Sequence, residues 1–110
     1  MTTEKASKTP DVIQFDHRPF SENGPRGVTV KAEFRCHGKT FSFAIASEGV
    51  WLTKLTGQLD DILRVSVCPK GKNNVSLYFA GGDFYINVPD PRQQSEIVSW
   101  WQRVLEDLTF

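Results

Sequence analysis

Residues 28–46, VTVKAEFRCHGKTFSFAIA, decide the fold. Val28, Val30, Ala32, Phe34 and Cys36 alternate with Thr29, Lys31, Glu33, Arg35 and His37, the period of a strand with one buried face. After Gly38-Lys39 the alternation resumes, with Phe41, Phe43 and Ile45 against Thr40, Ser42, Ala44 and Ala46. A two-residue turn at Gly38-Lys39 sets Cys36 opposite Phe41, Phe34 opposite Phe43 and Ala32 opposite Ile45. All the apolar side chains then share one face, and a slip of one residue would scatter them.

A second hairpin follows the same logic. Val75, Leu77 and Phe79 precede Gly81-Gly82, and Phe84, Ile86 and Val88 follow it. A Gly-Gly turn pairs Phe79 with Phe84, Leu77 with Ile86 and Val75 with Val88, and on the polar face it sets Tyr78 opposite Tyr85. Leu63, Val65 and Val67 alternate with Arg64, Ser66 and Cys68 and supply a partner strand, ended by the loop Pro69-Lys70-Gly71-Lys72-Asn73-Asn74. Val12 to His17 adds an edge strand, closed by Pro19 and the Gly- and Pro-bearing stretch after it.

Two segments read as helical. Asp90-Pro91-Arg92-Gln93 is an N-cap, a proline at the first helical position and a glutamine placed to complete a capping box. Beyond it Ile97, Val98, Trp101, Val104, Leu105 and Leu108 form one stripe. Trp100 falls at its margin, with part of its indole expected to remain accessible. Between the hairpins, Trp51, Leu55 and Leu59 at helical spacing after Ser47 suggest a short helix, weakened by Gly49 and Gly57. The expected architecture is α+β: a single antiparallel sheet of five to six strands, covered on one face by the C-terminal helix and the short central helix. Residues 1–10 have no hydrophobic periodicity and read as a disordered tail, leaving 11–110 as one domain.

Composition narrows the function. The 110 residues carry 13 Lys+Arg and 13 Asp+Glu, so the chain has no bulk charge with which to hold duplex nucleic acid or an anionic membrane. The absence of a long apolar run points away from a membrane and toward the cytoplasm. Cys36 and Cys68 are too few for a disulfide framework and lack metal-site spacing. Cys36 and His37 are strand neighbours, so their side chains point to opposite faces and cannot form a nucleophile and base. Zinc would need His17, Cys36, His37 and Cys68 to converge, and the same alternation separates the two thiols. Asp60-Asp61 and Glu106-Asp107 stand without a histidine, and neither Gly24-Pro-Arg-Gly27 nor Gly81-Gly82 is a phosphate loop. The sequence therefore predicts no catalytic residue, no metal and no cofactor.

What remains is the polar face of the second hairpin. Tyr78 and Tyr85 share it with Arg64, Ser66, Ser76 and Asn87, a set suited to a protein interface because Tyr and Arg dominate binding hot spots. The expected function is a small protein-binding module of inhibitor, immunity or adaptor type, monomeric or homodimeric, with Trp100 as a further anchor. The alternative is a single-stranded nucleic acid binder, in which bases stack on Tyr78 and Tyr85 while Lys70 and Lys72 contact phosphate. A purely structural role for the tyrosines is a cross-strand pair that steadies the hairpin.

Overall fold

A computed structural model describes residues 11–18, 29–67 and 74–108. The strands are β1 (Val12–His17), β2 (Val30–His37), β3 (Thr40–Ser47), β4 (Val50–Gln58), β5 (Ile62–Val67), β6 (Val75–Phe79) and β7 (Gly82–Ile86). A 3-10 turn at Leu59–Asp61 separates β4 from β5, and α1 (Pro91–Leu108) follows β7. The strands form two antiparallel sheets, of order β1-β2-β3-β4 and β5-β6-β7. Among the described residues no helix is long and apolar enough to cross a membrane.

The first hairpin has the expected register, with Cys36 against Phe41, Phe34 against Phe43 and Ala32 against Ile45. Gly38 takes a positive φ of 63°, as the first residue of a Gly-X turn should. The expected single sheet is corrected to two. Alternation tells which face of a hairpin is apolar but not what that face meets, and here the apolar faces of the two sheets meet each other. Phe43 of β3 and Phe84 of β7 touch edge to face across the gap, centroids 5.3 Å apart. The helix closes the open end against β5 and β1. Trp101, wholly buried, meets the rings of Phe34 and Phe41, each 5.3 Å away.

The expected central helix is a strand. Glu48 and Gly49 have φ of 52° and 80°, the pair of positive values that defines a tight type I′ hairpin turn, and Ser47 pairs with Val50 across it. A bulge at Lys54 breaks the face that this spacing implied: Phe43 pairs with Leu55 and Ala44 with Thr53, so the extra residue switches the inward parity of β4. Trp51, beside Ala46, and Leu55, beside Phe43, therefore lie on opposite faces although they are four residues apart, so the spacing of Trp51, Leu55 and Leu59 marks no common apolar stripe. Trp51 is consequently outside, 44% exposed.

Two smaller corrections concern the second sheet. The turn between β6 and β7 is Ala80-Gly81, and Leu77 pairs with Phe84 and Val75 with Ile86. This differs from the expected register by two residues, a slip that keeps every apolar residue inside and so leaves the hydrophobic pattern unchanged. A bulge at Leu63 between the pairs Ile62/Phe79 and Arg64/Tyr78 turns Leu63 out to 71% exposure, while Ile62 packs on the core.

The sheets are joined at β1. The backbone N–H of Arg18 and the Nδ1–H of His17 both donate to the carbonyl of Asn87, at 3.1 and 2.9 Å. Asp90 caps α1 as expected, accepting from the Arg92 N–H at 2.9 Å. Gln93 is not part of a capping box; its Oε1 accepts from the Asp16 N–H at 2.9 Å and ties the first helical turn to β1.

Burial pushes the His17 imidazole below its ordinary pKa, partly opposed by the bond to Asn87. A depressed folded-state value means that protonation favours the unfolded chain. The stability contributed by neutral His17 is complete above the unfolded value of about 6.5 and is lost as pH falls through the lower folded value. Thermal midpoints followed from about pH 7.5 to 5 should therefore fall more steeply for the wild-type chain than for His17→Gln. Parallel curves would contradict this burial.

Candidate functional site

The outer face of β5-β6-β7 gathers five of the side chains selected from sequence, Arg64, Tyr78, Tyr85, Ser66 and Ser76. Arg64 and Tyr78 are cross-strand partners, and the guanidinium lies 4.7 Å from the centre of the Tyr78 ring. Tyr78 and Tyr85 are not directly opposite, because the register sets Tyr78 against Asp83 and Ser76 against Tyr85. They still meet on the diagonal, edge to face at 6.2 Å, within the reach that diagonal pairs allow to aromatic side chains. Asp83, which the sequence reading did not single out, accepts a hydrogen bond from the Tyr85 hydroxyl at 2.9 Å. Its signal was visible: strand periodicity places Asp83 and Tyr85, two residues apart, on one face.

The row Arg64, Tyr78, Tyr85, Asp83 thus runs from a cation through two rings to an anion. Its electrostatics follow from those neighbours. Hydrogen bonds from Ser76 and Ser66, with the Arg64 charge, hold the Tyr78 phenol below the ordinary tyrosine value, whereas the Asp83 carboxylate raises that of Tyr85. Tyr78 is half-buried and Tyr85 is 45% exposed, so the row presents one accessible ring on a fixed base.

The other selected residues are elsewhere. Asn87 lies just past β7, where its carbonyl serves the joint to β1. Trp100, expected to keep an accessible edge, is only 5% exposed; it stacks on Phe34 at 6.4 Å and meets Trp101 edge to face at 5.1 Å. The helix stripe is wider than the sequence suggested because it faces a cleft between two sheets rather than one flat surface. Lys70, Lys72 and Cys68 lie outside the described residues, as do residues 1–10.

Cys36 packs against the core while His37 is exposed, so the two diverge as strand alternation requires. Burial, with a smaller contribution from Asp11, pushes the Cys36 thiol up to about 11, which keeps it protonated and poorly nucleophilic at neutral pH. Among the described residues no three His, Cys, Asp or Glu side chains come together as a metal site would need. One groove stands apart from the tyrosine face, between β1 and α1. No protein-family model and no curated protein matches this chain.

Proposed function

We propose that the protein is a non-enzymatic, cytoplasmic protein-binding module, of inhibitor, immunity or adaptor type, acting through the tyrosine-bearing face of β5-β6-β7. The observation that carries this reading is the ordered row of Arg64, Tyr78, Tyr85 and Asp83. Side chains already held by one another lose little further rotamer freedom on binding, which is the main cost an interface must overcome. The bulge that turns Leu63 outward beside Arg64 supplies exposed apolar area next to them. Stacking of single-stranded bases is less well served, because Arg64 covers one face of Tyr78 and the edge contact with Tyr85 takes up further ring surface.

The test is affinity capture from the native cell lysate, with and without nuclease, using the wild-type chain and the Tyr78→Ala/Tyr85→Ala variant. Recovery of a protein partner should survive nuclease, and the double substitution should weaken that complex by at least about 2 kcal/mol, or roughly thirtyfold. The variant's own thermal transition is the control, since a cross-strand aromatic pair contributes up to about 1 kcal/mol to the fold. A folded variant that keeps its partner would overturn the reading, and nuclease-sensitive recovery would assign the face to single strands.

A further inference from the structure

Helix α1 and the first half of β1 do not close on each other. Between them runs a groove of about 450 Å³, walled by Val12 and Ile13 on one side and by Arg92, Ser99, Trp100 and Arg103 on the other. The hydrogen-bond alternation of β1 shows what the strand offers to this space. Cys36 N–H donates back to the Asp11 carbonyl, so odd-numbered residues bond to β2. Even-numbered residues direct their backbone groups the other way: Asp16 N–H goes to Gln93 and Arg18 N–H to Asn87. Continued upstream, the same alternation points the N–H groups of Val12, which lines the groove, and Gln14, just beyond it, away from β2, where neither meets a partner among the described residues. Gln93 already does for Asp16 what a neighbouring strand would do.

The helix wall adds a charge pattern. Arg92, Glu96, Ser99 and Arg103 follow one another at helical spacing on one face. Arg92 and Arg103 are about 16 Å apart along the axis, the length of about five extended residues. Both are exposed and neither makes an ion pair among the described residues, so with Glu96 the wall keeps a net positive charge.

We propose that the groove between β1 and α1 binds an extended acidic segment of another protein, which adds to the β1 edge at Val12 and Gln14 as a strand while its carboxylates pair with Arg92 and Arg103. Main-chain bonds to the edge give affinity, and alternate side chains reach Ile13 and Trp100. Charge selects this occupant over two that are closer at hand. Residues 1–10 lead directly into β1 but carry Lys5 and Lys8 against Glu4, and the exposed edge strand β4 of a second copy brings Lys54 and no carboxylate. The site is separate from the tyrosine face and does not depend on it.

Fluorescence anisotropy of the full chain tests it, with a labelled heptapeptide that has valine at the odd positions, glutamate at the second and sixth, and threonine at the fourth. Saturable binding is expected, weakened at least about tenfold by Arg92→Glu/Arg103→Glu and abolished when the peptide's glutamates are replaced by lysine. Val12→Pro should weaken it comparably with the thermal transition preserved, because proline at this outward position removes an edge donor without breaking the ladder to β2. Tyr78→Ala/Tyr85→Ala should leave it unchanged. The proposal is overturned by absence of saturable binding, or by binding that ignores the charge reversal. It is equally overturned if a peptide of residues 1–10 competes as well as the probe, which would give the groove to the chain's own tail. Dimerisation that vanishes in the charge-reversed variant would give it to a second copy and overturn the proposal too.

Discussion

Replacing Trp101 with alanine should destabilise the fold by about 3–5 kcal/mol, the usual cost of emptying a large buried aromatic site. Trp101 is fully buried and meets the rings of Phe34, Phe41 and Trp100, so its removal opens the centre of the core rather than its rim. Trp100→Ala should also cost more than a marginal position would suggest, because Trp100 is itself buried and stacks on Phe34. Chemical denaturation of the two variants measures both. A loss below about 1 kcal/mol at Trp101 would mean that α1 does not seat in the cleft between the sheets.

The second large effect is expected at Asn74, where Asn74→Leu should cost about 2–3 kcal/mol. The buried Asn74 amide donates to the Val88 carbonyl at 3.1 Å and accepts from the Val88 N–H at 2.8 Å, so one side chain completes both backbone groups of a residue beyond the end of β7. The carbonyl keeps a second donor, Gln94 Nε2 at 2.8 Å, but among the described residues the N–H has no other acceptor. Leucine keeps the branched skeleton without its polar atoms and strands that N–H in the interior, where an unmet donor costs the full desolvation of the group. Equal denaturation midpoints for Asn74→Leu and the wild-type chain would show that water reaches Val88.

The first hairpin was legible because two signals agree there: a glycine able to take positive φ, which sets a two-residue turn, and an apolar alternation that a slip of one residue would scatter. The second hairpin shows the limit of the pattern, since a slip by two residues is invisible to it. The strand β4 was hidden because Trp51, Leu55 and Leu59 stand four residues apart, a spacing that a helix and a strand both allow, and the bulge that sends Trp51 and Leu55 to opposite faces has no mark in the pattern. Its Glu-Gly turn was a local signal that outweighed this spacing. The division into two sheets was not local at all: it depends on which apolar faces meet, as Phe43 and Phe84 do.

The site followed the same division. Parity alone placed Tyr78, Tyr85 and Arg64 on one face, and the register error left their contact intact because diagonal neighbours are still in reach. Trp100 was misplaced because a helical wheel assumes one flat partner, whereas α1 sits between two sheets. The groove beside β1 is a tertiary feature, legible only once the helix and the strand edge are in place.

The tyrosine face is most directly tested by photocrosslinking, with benzoylphenylalanine replacing Tyr85 in the full chain expressed in its native cell. Tyr85 is the accessible ring of the row, so irradiation should join the chain to one protein, and the same probe at the exposed Glu106 on α1 should not yield that product. Crosslinks from Tyr85 to nucleic acid, or the same protein products from both positions, would contradict a protein-binding role for this face.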